Sequence, residues 1–170
     1  QCLKDPSAQF QAASLPDEGW RAIPVPSNWN RSVFENYNGV LWYRTEFHLG
    51  DLDDIAGALI EFKGVDYFSD AWLNGSFVGH HEGYFQYFEH SVRPLVRLGK
   101  NTRLVRVDSP VEEPGEDGWP TKKRLIKGVL NHHDCRPGGS CPKRGQEQNT
   151  GGIWNDVQLR LVEEVEFYPP

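Results

Sequence analysis

Methionine is absent from this 170-residue chain, cysteine occurs three times, and basic residues are the minority charge. With Gln1 as its first residue and no methionine, the chain is expected to be an excised or processed piece of a longer product. No apolar run approaches the roughly 18 residues of a spanning helix, and no basic stretch leads into an apolar one as in a secretory signal. A membrane partner is therefore not expected. Lys and Arg number 18 against 24 Asp and Glu, a net charge of −6. That balance argues against a surface built to neutralise phosphates, so nucleic acid is excluded as a partner. Of the cysteines, only Cys135 and Cys141 are close enough in sequence to close a small local disulfide loop, which leans toward an oxidising compartment, periplasmic or secreted. Two reduced thiols fit that spacing equally well.

What the chain does contain is turn formers and aromatics: 17 glycines, 12 prolines and 12% Phe, Trp and Tyr. Period-2 alternation dominates. In VLWYRTEFHL (40–49), Leu41, Tyr43, Phe47 and Leu49 fall on one face and Trp42, Arg44, Glu46 and His48 on the other, as in a half-buried strand. Ala58, Ile60 and Phe62 share a face against Glu61 and Lys63, and Asn74-Gly75 sits between two β-rich runs as a type I′ hairpin signal. His80 and His81 alternate across the second strand of that hairpin, one of them as a surface histidine. Val105 and Val107, then Val157, Leu159 and Leu161, mark two further strands. Pro94 limits residues 91–101 to a single helical turn closed by Gly99. Short strands, frequent turns and no crossover helices predict an all-β antiparallel sandwich or barrel forming one domain over residues 1–170.

Residues 110–150 differ in kind, with five prolines, many glycines and little apolar periodicity. Segment 115–150 holds seven Lys/Arg against four Asp/Glu, so it carries +3 while the rest of the chain carries −9. A basic excursion on an acidic body reads as a contact surface, or as a merely solvated loop.

Catalytic chemistry is thin. NHHDC (131–135) with Cys141 offers His132, His133, Asp134 and two thiolates, but adjacent histidines do not readily reach one ion and no paired C-x-x-C or H-x-x-x-H spacing accompanies them. Neither a metal nor another cofactor is expected. There is no G-x-S-x-G elbow and no phosphate-cradling glycine loop.

Five blocks, WRAIPVPSNWN (20–30), NGVLWYRTEF (38–47), EFKGVDYFSDAWLNGSFVGHHEGYFQYF (61–88), GKNTRLVRVD (99–108) and TGGIWNDVQL (150–159), agree in order and spacing with one family. Together they make the chain resemble the N-terminal sugar-binding domain of glycoside hydrolase family 2. The resemblance implies a galactose-binding-like jelly-roll sandwich with its core at 20–163 and a long irregular loop at 110–150 before the last strand. In the same polypeptide it implies an immunoglobulin-like domain and a (β/α)₈ barrel. A retaining glycosidase holds two carboxyl groups about 5–5.5 Å apart in a barrel that alone takes about 250 residues, so this chain is expected to be non-catalytic. Its implied role is to scaffold and to help shape the pocket of a parent enzyme that hydrolyses O-glycosidic bonds.

Two site positions follow from the resemblance. Asn36, in ENYNG (35–39), matches an asparagine that reaches the sugar in β-galactosidase-type members; an amide both donates to and accepts from hydroxyls. An ordinary turn role fits Asn-x-x-Gly as well. Ahead of Gly151-Gly152 those members carry an acidic sugar contact. Here Gln146, Glu147, Gln148 and Asn149 occupy that stretch, and Gln148 and Asn149 are the candidates. In the basic segment His132, His133 and Arg136 are candidate substrate contacts, suited to a carboxylated or sulfated sugar. Trp119 is the candidate exposed stacking ring, while Trp42 and Trp72 are expected in core or interface. The paired glycines are expected to carry the backbone by a tight or left-handed passage into a strand beginning at Ile153-Trp154. Competing readings are an independent carbohydrate-binding module and a structural or adhesive sandwich without sugar binding. Galactoside, glucuronide, mannoside and glucosaminide hydrolases share the architecture, so it does not name the glycoside.

Overall fold

The computed structural model describes residues 1–112, 115–116, 120–125 and 150–163. Ten strands run through them: β1 (Cys2–Asp5), β2 (Gly39–Leu49), β3 (Gly57–Phe62), β4 (Val65–Asp66), β5 (Phe68–Leu73), β6 (Ser76–Glu82), β7 (Phe88–Ser91), β8 (Gly99–Ser109), β9 (Gly152–Ile153) and β10 (Val157–Val162). A four-residue helix, α1 (Trp29–Ser32), and a 3₁₀ turn at Ala12–Ser14 complete the described elements. All pairings are antiparallel, in a five-stranded sheet β1-β2-β8-β5-β6, a three-stranded sheet β10-β3-β7 and the pair β4-β9.

The core lies between the two larger sheets. Leu41, Tyr43, Ala71, Leu73, Val105 and Val107 from one meet Ala58, Ile60 and Phe62 from the other, all buried. Each fully buried Leu, Val, Ile or Phe contributes on the order of 1.5–3 kcal/mol, which is what makes the alternating pattern decisive. The Asn74-Gly75 hairpin forms as expected, with φ of 51° and 86° at the two residues. Asn74 does more than turn. Its amide donates to Leu95 O at 2.8 Å and to Asn101 Oδ1 at 2.9 Å and accepts from Thr102 N at 2.9 Å, tying the turn to β8. A turn does form near Pro94, with Val96 N donating to Val92 O, but it is not closed by Gly99, which instead opens β8.

Two expectations need correction. β2 is not half-buried along its length: Val40 and Trp42 are as buried as Leu41 and Tyr43, and exposure begins only beyond Arg44. The N-terminal segment covers that outer face. β1 pairs with β2, and Leu3, Phe10, Ala12, Leu15 and Trp20 pack around Trp42 and Trp72. Trp42 Nε1 donates to the fully buried carboxylate of Asp5 at 3.2 Å, and the same carboxylate accepts from Gln9 N and Phe10 N. An indole with its N–H satisfied can be covered on a face that polar neighbours such as Arg44 and Glu46 suggested was wet. Nor does the last strand begin at Ile153-Trp154. Gly152–Ile153 pairs with Val65–Asp66 as a separate short ladder, and β10 starts at Val157 against Phe62. Between them Trp154 lies against Gly64, its indole N–H donating to Tyr84 O at 3.1 Å.

Candidate functional site

Trp29 organises one end of the sandwich. Asn28 caps its short helix by accepting from Asn30 N, and the indole, fully buried, donates to Tyr37 O at 3.1 Å. Asn30 Oδ1 accepts from Tyr37 N at 2.5 Å, so the turn containing Asn36 is fixed from two sides. The same tryptophan receives the end of the long excursion: Trp29 N donates to Gly151 O at 3.0 Å, and a β-carbon on Gly151 would stand 2.2 Å from the indole. Gly152 has φ of +123°, and a β-carbon there would meet Ser27 O at 2.9 Å. Of the paired glycines only Gly152 makes the left-handed passage expected of them; Gly151 instead leaves room for the indole of the chain's own Trp29.

Beside this contact lies a buried polar network. Lys123 Nζ is 2.9 Å from Asp66 Oδ1, both side chains having no exposed surface. Thr150 Oγ1 donates to Asp66 Oδ2 at 2.8 Å, and Thr150 O accepts from Lys123 Nζ at 3.3 Å and Ser109 Oγ at 2.6 Å. Next to Asp66, the Tyr67 hydroxyl accepts from Leu125 N at 2.6 Å, and burial pushes that phenol up to about 12. The two carboxylate oxygens are met differently, Oδ1 by the charge of Lys123 and Oδ2 by the Thr150 hydroxyl.

On the outer face of the five-stranded sheet a groove of about 610 Å³ opens between Asn38, Val40, Phe68, Asp108, Val111 and Lys122. Asn38 Oδ1 is buried there without a hydrogen-bond partner.

Of the residues singled out in the sequence, Asn36 is an exposed turn residue with φ of +53°, two positions from the groove-lining Asn38. Trp119, His132, His133, Arg136, Gln148 and Asn149 lie outside the described residues, as do Cys135 and Cys141. Cys2 is a free, buried thiol. Among the described residues no group of three or more His, Cys, Asp or Glu is placed to hold a metal. Trp29 and Trp42 are core residues; Trp20, Trp72 and Trp154 are partly buried. Sequence reasoning missed Asp66, Lys123 and Thr150. Nothing in KKR (122–124) marks its middle residue as the buried one, with exposed neighbours on both sides.

The fold and this end of it belong to a class of carbohydrate-enzyme domains. The family described as glycosyl hydrolase 2 galactose-binding domain-like matches residues 27–136, and the chain belongs to it. A β-galactosidase of Thermoanaerobacter pseudethanolicus is 34% identical over 128 residues, 75% of this chain and 14% of that protein. A β-galactosidase of Vibrio vulnificus is 29% identical over 118 residues, 58% of this chain and 11% of its own length. Among solved structures, Ruminococcus gnavus β-glucuronidase aligns with a TM-score of 0.66 at 17% identity, over 95% of this chain and 26% of that one, a likeness of fold. The chain spans 11 to 14% of the length of the curated relatives it matches.

Proposed function

We propose that this chain is the non-catalytic sugar-recognition and scaffold domain of a family 2 glycosidase, acting beside immunoglobulin-like and (β/α)₈ barrel domains of the same polypeptide. Hydrolysis of the O-glycosidic bond falls to the barrel carboxylates. This domain contributes the wall of the pocket that meets the sugar, through Asn36 and the amide-rich stretch at Gln148 and Asn149. The observation that carries the reading is the double engagement of Trp29, which holds both the Asn36 turn, through Tyr37 O, and the chain at Gly151, two residues beyond Asn149. An amide at Asn36, Gln148 or Asn149 would suit sugar hydroxyls that both donate and accept. Family membership supplies the glycosidase context.

The basic segment gives the reading a substrate preference. Arg136, with His132 or His133, would favour a carboxylated sugar over a neutral one, since a guanidinium binds a carboxylate in bidentate fashion. The full-length polypeptide, assayed on aryl β-galactoside and aryl β-glucuronide, tests both parts. Replacing Asn149 by alanine is expected to lower kcat/KM about tenfold on whichever glycoside is cleaved, the worth of one or two hydrogen bonds. Replacing Arg136 by alanine is expected to lower the ratio of glucuronide to galactoside turnover. Unaltered kinetics in both variants would remove the proposal.

A further inference from the structure

We infer that Lys123 is a positioning residue, whose buried ion pair with Asp66 ties the departure and the return of segment 126–149 to the single dipeptide Asp66-Tyr67. On the departing side, Lys123 Nζ meets Asp66 Oδ1 at 2.9 Å, and two residues later Leu125 N donates to the Tyr67 hydroxyl at 2.6 Å. On the returning side, Thr150 Oγ1 donates to Asp66 Oδ2 at 2.8 Å while its carbonyl accepts from Lys123 Nζ. Each carboxylate oxygen of Asp66 therefore serves one end of the segment, and the ammonium group of Lys123 touches both. Ser109, at the end of β8, locks the same carbonyl to the five-stranded sheet. Asp66 itself is held in the β4-β9 ladder opposite Gly152.

Stability alone does not account for this arrangement. Two charges taken wholly out of water repay their desolvation poorly, and an apolar pair of similar volume commonly serves a core as well or better. One carboxylate holding the Lys123 ammonium at Oδ1 by charge and the Thr150 hydroxyl at Oδ2 by a hydrogen bond sets a register between two chain ends that apolar packing would leave loose. The residue so fixed, Thr150, directly follows Asn149. The consequence for sugar handling rests on the proposed function above; the clasp itself does not.

The test uses the full-length enzyme carrying Asp66→Asn together with Lys123→Met, and separately Thr150→Val. The double variant removes both charges, so it avoids the unpaired buried charge that either single change would leave. Thr150→Val removes the hydroxyl that donates the returning bond to Asp66 Oδ2 and keeps the charge pair, so it serves if the double variant does not fold. Two readouts are taken on folded protein: the rate of tryptic cleavage after Lys127, Arg136, Lys143 or Arg144, and KM and kcat on an aryl β-glycoside. The expected result is cleavage about tenfold faster and KM about tenfold higher, with kcat changed much less, at a melting temperature near the parent's. Faster cleavage with unchanged kinetics would uphold the clasp and overturn the sugar-facing role of the segment. Unchanged cleavage in both variants would overturn the clasp.

Discussion

Gly151 and Trp29 touch so closely that a methyl group on the glycine would stand 2.2 Å from Cζ2 and 2.3 Å from Cε2 of the indole. Gly151→Ala is therefore expected to destabilise the domain by roughly 1–3 kcal/mol, because Trp29 is fully buried and its indole is held by its bond to Tyr37 O. Gly50→Ala is the control: a β-carbon there meets nothing within 4 Å, and its effect should stay within about 0.5 kcal/mol. Urea midpoints of the two variants check the contrast.

Asn36 holds a left-handed conformation at φ of +53° in an exposed turn, which separates its two possible uses. Asn36→Gly keeps the backbone and removes the amide; Asn36→Ala removes the amide and adds strain of about 1 kcal/mol. If the amide meets sugar, both variants of the full-length enzyme lose kcat/KM on aryl glycosides to a similar extent while only the alanine lowers the melting temperature. If Asn36 is simply a turn residue, the glycine variant retains parental kinetics.

Two histidines contact the ring of Phe88 where β6 meets β7. His81 stacks on Phe88 with ring centroids 3.8 Å apart, and His90 lies edge-on to Phe62 and Phe88 and against Gly79. Nε2 of each is buried without a hydrogen-bond partner. Burial holds both imidazoles below the ordinary histidine value of 6.5, with the charges of His80 and His90 adding to the effect on His81. A folded-state value below the unfolded one means that the unfolded chain binds more protons as the pH falls past 6.5. Stability is then complete above that pH and declines below it, by at most about 1.4 kcal/mol per pH unit for each group. Unfolding midpoints between pH 7.5 and 5.5 should fall for the parent and stay flatter for a variant with His81→Phe and His90→Phe. The Glu61 carboxyl, held low by its bond to Arg160, loses its contribution only at more acid pH and leaves this window clear.

Asp5 gathers three donors on one buried carboxylate: Gln9 N, Phe10 N and Trp42 Nε1. Asp5→Ala leaves them without an acceptor, and a loss of about 2–4 kcal/mol is expected, with the N-terminal segment freed from the face of β2. Hydrogen exchange should show this as lost protection in β1 and at Trp42 Nε1, while β5 and β8 keep theirs.

The alternation of apolar residues was sufficient for the inner faces of β2, β3, β8 and β10 because each buries one face by the same simple rule. Alternation alone put Trp42 on the polar face, and only the tryptophan itself argued for core or interface; its covering comes from residues 1–20, a segment with no periodicity of its own that acquires a strand only by pairing with β2. Asn74-Gly75 was legible as a turn, since positive φ is a local demand. The further bonds of Asn74 to Leu95, Asn101 and Thr102 were not, because those partners lie 21 to 28 residues away. Lys123 was hidden for a related reason. A lysine in a run of three basic residues is solvated by default, and only Asp66, 57 positions earlier, overrides that default. Of the candidate site, the glycine pair and the turn at Asn36 could be read from local chemistry, and the network that joins them could not.

The pairing of β9 with β4 and of β10 with β3 sets an order of events during synthesis. Every strand of the five-stranded sheet lies within residues 2–109, so that sheet can assemble before the rest of the chain exists. Until residues 152–162 emerge, Ile60 and Phe62 border an open edge of β3 and the indole of Trp29 lacks its glycine. Among the described residues, the strand latest in sequence is thus the one that completes the three-stranded sheet, and a nascent chain halted short of Thr150 would present apolar surface that the finished domain conceals.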